Sequence, residues 1–365
     1  MRILLVTPQF APLVGGVERH VEEVARRLAH AGESVTVITT DRTGDLAPRE
    51  TRDGFEIRRV RAYPRRRDYR FAPGLVRAIE PGRWDIVHVQ SYHTAVAPIA
   101  MLAALRSRLP YVVTFHGGGH ASRLRNRLRG AQLAALRPLL ARAKALVAVA
   151  EFEIAYYGER LGLPRERFVF IPNGADLPAV DAPPRRAGDP LLVASIGRLE
   201  RYKGHQHVIA ALPVLLRSRP DARLWIAGSG PYEHELRTLA AQLGVADRVE
   251  IRAVPPEDRE LMARRLARVD VAVLASEFET HPLAAIEAAG SGCRVVVADS
   301  PGLRELAEQG LARIADPVTD PGALAAAVLE ESERPPVPNR LAIPTWDDCA
   351  AGLREVYRGV LFGSP

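Results

Sequence analysis

Glu279 and Glu287 stand eight residues apart in the run Ser276-Glu277-Phe278-Glu279-Thr280-His281-Pro282-Leu283-Ala284-Ala285-Ile286-Glu287. A strand is expected at 270–274, and Pro282 is tolerated in the first turn of a helix that follows. Glu279 then falls at the helix mouth and Glu287 about two turns along it, so the two carboxylates can address different hydroxyl groups of one extended polar ligand. Solvated or capping glutamates would share this pattern. A second charged run sharpens the reading. In Ser195-Ile196-Gly197-Arg198-Leu199-Glu200-Arg201-Tyr202-Lys203-Gly204, Gly197 turns the chain after an apolar strand. Arg198, a planar fork, and Lys203, a mobile point charge, can then converge on one anion. Among 50 basic residues only Lys144 and Lys203 are lysines, so a lysine in this loop stands out from the arginine background.

Two further loops carry chemistry. Gly15 and Gly16 lie between the first strand and the first helix, where a glycine turn exposes backbone N–H groups at a helix N-terminus and makes an anion site. The spacing is not the G-x-G-x-x-G of dinucleotide binding. His116 opens the run His116-Gly117-Gly118-Gly119-His120 at the carboxyl end of an apolar strand, and its imidazole is expected to serve a ligand as donor or acceptor. A hydrolase oxyanion loop would need a G-x-S-x-G elbow elsewhere, and the chain has none. Neither an H-e-x-x-h pattern nor a D-x-D pair is present, so no metal site is expected.

The elements that must position these loops repeat in two series. Short apolar strands are expected at 2–7, 35–40, 86–89, 111–115, 145–149 and 168–171, then at 191–196, 222–227, 270–274 and 294–298, with helix-length segments between them. Nearly continuous apolar strands alternating with helices mean a parallel sheet covered on both faces. The first helix carries Val17, Val21, Val24 and Leu28 at helical spacing and closes at Gly32. A proline-rich stretch without periodicity at 178–190 reads as a linker, and 346–361 as a last helix. The expected organisation is a first domain at 1–177, the linker, a second domain at 191–345 and a C-terminal helical segment at 346–365 that packs back on the first domain.

Composition narrows the class. With 365 residues, 47% apolar and 25% charged, the chain is long enough for two globular cores. No apolar run is long enough for a membrane span or a secretion signal, so a cytoplasmic protein is expected, and Cys293 and Cys349 have no metal or redox spacing. The formal charge of +7 is uneven: residues 1–175 carry +12 and the remainder −5. A basic first half fits an anionic partner, and the clusters Arg65-Arg66-Arg67 and Arg123, Arg125, Arg127 and Arg129, the latter with Leu124 and Leu128 on one side before Gly130, are candidates for peripheral contact with an anionic membrane. Nucleic acid is the weaker alternative because no recognised binding motif accompanies the charge.

Gly15-Gly16, His116-Gly117, Ile171-Pro172-Asn173-Gly174-Ala175-Asp176, Gly197-Arg198 with Lys203-Gly204, Gly228-Ser229-Gly230-Pro231 and the Glu279/Glu287 pair occur in one order along essentially the whole chain. In this the sequence resembles family 4 of the retaining glycosyltransferases. The resemblance implies an α/β protein of the GT-B fold, two Rossmann-like doubly wound domains facing across a cleft. It also implies metal-independent transfer of a hexosyl group from a UDP- or GDP-sugar to a hydroxyl of a glycan, lipid-linked or small-molecule acceptor, with no cofactor beyond the donor. By the same resemblance Gly16 meets the donor phosphate, Arg198 and Lys203 neutralise the diphosphate, Glu279 contacts the donor sugar, Glu287 holds the ribose and His116 lies by the reacting centre. Gly15 and Gly197 shape the two binding loops.

The sequence departs from the family in two places: Ala253 replaces a common glycine near the nucleotide base, which leaves UDP and GDP both open, and the other place lies beside Glu279. Thr280-His281-Pro282 replaces the common glycine of the E-x-F-G pattern, and proline has no N–H, so anion binding there is expected to pass to the N–H groups of Leu283 and Ala284. A nucleotide-sugar hydrolase or epimerase of the same two-domain fold is the alternative activity.

Overall fold

The computed structural model describes residues 1–13, 15–65, 70–80, 82–117, 123–181, 189–334 and 343–363, with backbone alone at 123–127. The chain divides into two compact units, Met1–Gly174 with Pro344–Pro365, and Ala175–Ile343.

The first unit runs β1 (Arg2–Val6), α1 (Gly16–His30), β2 (Ser34–Asp41), β3 (Arg49–Arg52), β4 (Phe55–Arg61), α2 (Gly74–Ala78), β5 (Ile86–Gln90), α3 (Val96–Arg106), β6 (Tyr111–Thr114), α4 (Arg123–Leu140), β7 (Ala145–Ala148), α5 (Glu151–Leu161) and β8 (Phe168–Phe170). Its sheet has the order β3-β4-β2-β1-β5-β6-β7-β8 and is parallel throughout except where β3 pairs antiparallel with β4. Ile3, Leu4, Leu5 and Val6 are buried on both faces of β1, as a strand covered by helices on each side requires. On one face Phe115 stacks on Tyr157 at 3.8 Å within a core that includes Leu4, Val89, Leu146 and Leu161. The sheet order reverses between β1 and β5, and at such a reversal the loops leaving the carboxyl ends diverge and leave a crevice. The β1–α1 loop, Gln90 and His116 all belong to those ends.

The second unit runs β9 (Leu192–Ile196), α6 (His205–Ser218), β10 (Arg223–Ala227), α7 (Glu233–Gln242), β11 (Val249–Ile251), α8 (Arg259–Leu266), β12 (Val271–Leu274), α9 (Leu283–Gly290), β13 (Arg294–Val297), α10 (Pro301–Glu308), β14 (Arg313–Ile314) and α11 (Pro321–Ser332). Its six-stranded sheet, ordered β11-β10-β9-β12-β13-β14, is parallel in every pairing and reverses between β9 and β12.

The final helix, α12 (Trp346–Phe362), belongs to the first unit. Thr345 and Asp348 close a capping box at its start, Arg27 of α1 pairs with Asp347 at 2.6 Å, and Arg354 reaches Glu33 at 2.8 Å. Leu353 and Tyr357 are completely buried.

Four strands escaped the sequence reading. β3 contains no apolar residue and β14 is only two residues long, so neither carries a hydrophobic period. β4 buries Phe55 and Ile57 and alternates them with charged residues, the pattern of a half-covered strand and not of a central parallel one. β11 is three residues long. In addition, α4 continues through Gly130 to Leu140. Leu128 is exposed; Arg66, Arg67 and the side chains of Leu124, Arg123, Arg125 and Arg127 lie outside the described residues, and so do Gly118, Gly119 and His120. Among the described residues no helix is long and apolar enough to cross a membrane.

Candidate functional site

In the second unit the reversal of strand order makes the loops after β9 and β12 neighbours. Gly197 leaves β9 with its N–H on the Ala227 carbonyl, and a short 3-10 turn at Arg201–Lys203 carries the loop to Gly204. Gly204 has φ +76°, and a Cβ there would strike the Ala275 carbonyl; only glycine lets the turn lie against the end of β12. The Glu277 N–H donates to Tyr202 O at 2.9 Å and ties the loops together. Lys203 Nζ consequently donates to Glu279 Oε1 at 2.5 Å, and Ser276 Oγ donates to the same oxygen at 2.8 Å. Both charged side chains are 16% exposed, so the pair is largely withdrawn from water without being sealed.

His205 supports the loop from below. Its Nδ1 accepts from Ser195 Oγ at 2.7 Å and its Nε2 lies 3.2 Å from Arg198 O. Burial pushes its pKa down to about 4, and the neutral ring donates to that carbonyl. Arg198 and Lys203 do not share one partner here: Arg198, more than half exposed, pairs with Glu200 at 2.7 Å while Lys203 faces Glu279. An exposed guanidinium follows the nearest carboxylate on its own loop.

Pro282 is the cap residue before α9 and not a member of its first turn. The Leu283 N–H donates to His281 O at 3.0 Å, so this group is occupied, whereas Ala285 and Ile286 turn back to Pro282 O. The Leu283 N–H expected to meet an anion thus has a partner within its own loop in this structure. Ala284, next in the helix, makes no such backward bond among the described residues. Glu287 sits in the second turn, nearly buried, in an ion pair with Arg259 of α8. On the far side of the Glu279 loop, the Gly302 N–H donates to Glu279 O at 3.2 Å.

In the first unit α1 begins at Gly16, and the Glu18 carboxylate folds back against Gly15. His116 follows β6 with φ +54°, an uncommon conformation for a non-glycine residue. It is held from several directions. Gly117 N–H donates to Glu153 Oε1 at 2.9 Å, Tyr157 OH donates to Gly117 O, His116 Nε2 lies 2.6 Å from Gln90 Oε1, and the His20 ring meets the His116 ring edge-on at 4.5 Å.

The structure thus joins Lys203 to Glu279 and adds Ser276, Arg259, Gln90, His20 and Glu153, which the sequence reading had not singled out. Ser276 opens the very run that was read, three residues before Glu279, and could have been found. Arg259 is one arginine among many, and nothing in its neighbourhood marks it.

Residues 14–178 match the family described as Glycosyltransferase Family 4, and residues 179–343 match Glycosyl transferases group 1. The chain belongs to glycosyltransferase family 4. This family 4 chain is 29% identical over 393 residues to the D-inositol 3-phosphate glycosyltransferase of Thermobispora bispora, covering 95% of this chain and 90% of that protein. It is also 29% identical over 319 residues to the GDP-mannose:cellobiosyl-diphosphopolyprenol alpha-mannosyltransferase of Xanthomonas oryzae pv. oryzae, covering 85% of this chain and 81% of that one. Sucrose-phosphate synthase from Thermosynechococcus elongatus is similar in fold, with a TM-score of 0.78 at 19% identity over 100% of both chains. The family 4 chain is therefore a glycosyltransferase built from two parallel-sheet α/β units of the GT-B class, as the order of its motifs implied.

Proposed function

We propose that the chain transfers a hexosyl group from a UDP- or GDP-sugar to a hydroxyl group of a glycan, lipid-linked or small-molecule acceptor, with retention at the anomeric carbon and without a divalent metal. The Lys203–Glu279–Ser276 cluster carries this reading. A cation held at the carboxyl strand ends, close to a carboxylate, suits a ligand that is an anion at one end and a polyol at the other.

In the proposed reaction the bond from the anomeric carbon to the diphosphate oxygen breaks, and its electron pair leaves with the diphosphate. The acceptor oxygen bonds to the same face, and its proton passes to the departing phosphate oxygen. Charge grows on the leaving group, so Lys203, Arg198 and the N–H groups of Gly16 and Ala284 stabilise the transition state most where they are already oriented. Glu279 serves the donor sugar, Glu287 with Arg259 the ribose side, and His116 the reacting sugar. Positive side chains in this role also account for a sequence without a D-x-D pair.

The test is nucleotide release from a panel of UDP- and GDP-hexoses, alone and with inositol 3-phosphate, oligosaccharide or polyprenyl-diphosphate acceptors, followed by NMR of the product anomer. Release that accelerates with one acceptor, survives chelator and yields the donor's anomeric configuration is expected. Acceptor-independent release would identify a hydrolase, and an inverted product or activity restored only by magnesium or manganese would overturn the mechanism.

A further inference from the structure

We propose that Gln90 is a positioning residue that fixes the His116 imidazole as its Nε2–H tautomer, with the ring lone pair on Nδ1. The inference rests on the role given to His116 above and concerns the groups that hold it.

Packing already determines where the ring lies. The His116 backbone is set at φ +54°, and the residue that follows, Gly117, is held on both sides, its N–H by Glu153 and its carbonyl by Tyr157. His20, 1% exposed and tied through Nδ1 to Asn173 Oδ1 at 2.7 Å, walls off one side of the ring. None of these contacts chooses which ring nitrogen carries the proton. Gln90 does: its Oε1 lies 2.6 Å from His116 Nε2, and an amide oxygen only accepts, so Nε2 must donate.

Behind the Gln90 amide lies a buried histidine. Gln90 is the last residue of β5 and is 1% exposed. Its amide nitrogen lies 3.2 and 3.3 Å from the two ring nitrogens of His88, which is itself fully buried. His88 Nδ1 meets Tyr357 OH at 2.5 Å, and its Nε2 meets Thr114 Oγ1 at 2.7 Å. Burial pushes the His88 pKa down to about 3, so the ring is neutral and one of its nitrogens bears a lone pair. The amide nitrogen thus faces the His88 ring, and the amide oxygen faces His116. The chain Tyr357–His88–Gln90–His116 thus links α12 to the loop after β6.

Proton placement has a functional consequence. With the proton on Nε2 the Nδ1 atom is an acceptor, whereas the other tautomer would present N–H there.

The experiment uses the full chain labelled with ¹⁵N-histidine, the His116 signals being assigned by their loss in His116→Asn. Two-bond ¹H–¹⁵N spectra are expected to show Nε2–H in the unsubstituted protein. Gln90→Leu, close in volume but without an acceptor, is expected to give a mixture of tautomers and to lower kcat about ten-fold or more while KM for the donor changes little. An Nδ1–H ring in the unsubstituted protein would overturn the proposal, and that reading needs no variant to fold. An unaltered tautomer in Gln90→Leu would overturn it as well. A tautomer that changes while kcat does not would uphold the fixing of the ring and overturn the role given to His116.

Discussion

The ring of His20 is tied to Asn173 by a 2.7 Å hydrogen bond in a place where water does not reach. Burial outweighs that bond and pushes the His20 pKa down to about 4; burial also lowers His88 to about 3 and His205 to about 4. A histidine whose folded pKa lies below its unfolded value binds its proton more readily in the unfolded chain. Its contribution is therefore fully present above about pH 6.5 and is lost as pH falls toward the folded value. By about pH 5 each should have given up roughly 2 kcal/mol. The lowered carboxylates Glu23, Glu33 and Asp221 act at more acid pH, so the upper window belongs to the histidines. Urea midpoints should fall steadily between about pH 7 and 5. A flat profile there would show that these rings protonate without cost.

Lys203 and Glu279 should be needed for transfer beyond what their ion pair contributes to the fold. Lys203→Met and Glu279→Gln are each expected to reduce kcat/KM by about two orders of magnitude or more, the scale of losing a group that meets transition-state charge. The pair is mostly covered, so each single variant should also lose about 1–3 kcal/mol of stability and the double variant less than the sum. Wild-type turnover in either well-folded variant would remove that residue from the site.

Glu287 and Arg259 should act on nucleotide affinity. Calorimetry with UDP and GDP is expected to show weaker binding of at least one nucleotide to Glu287→Gln. Arg259→Gln should follow it in direction, since the carboxylate loses the cation that holds it. Unchanged affinity for both nucleotides would assign the pair to the fold alone.

Gly302 provides a contrast between two glycines. A Cβ at Gly302 would run into the carbonyls of Thr280 and Glu279, so Gly302→Ala must displace the Glu279 loop and should cost about 2–3 kcal/mol with a fall in activity. A Cβ at Gly130, inside α4, meets nothing within 4 Å, and Gly130→Ala should stabilise by roughly 0.5–1 kcal/mol. Equal thermal shifts from the two would contradict the close approach at Gly302.

Most of the parallel sheets was legible because a strand buried on both faces leaves a run such as Ile3-Leu4-Leu5-Val6 that no surface segment imitates. The edges were not legible: β3 has no apolar residue, and its place depends on β4, not on any pattern of its own. The same limit applies to the site. Glu279 and Lys203 stood out by spacing and by rarity, whereas Gln90 ends a strand like any polar residue, and only the sheet order puts it beside His116. The partners of Arg198 and Lys203 depended on which carboxylate each side chain could reach, a matter of loop path that residue types do not encode.

The first unit is completed by a helix that follows the second in the chain. During synthesis residues 1–174 leave the ribosome without the segment that buries Tyr357 against His88, while Ala175–Ile343 emerges as one uninterrupted stretch able to finish its own sheet. At about 5–20 residues per second the earlier unit waits through the translation of the whole later one, with the surface meant for α12 uncovered. The natural order of maturation is thus inverted: the part made first is closed last, and a nascent chain stalled short of Trp346 would carry a finished second unit and an unfinished first one.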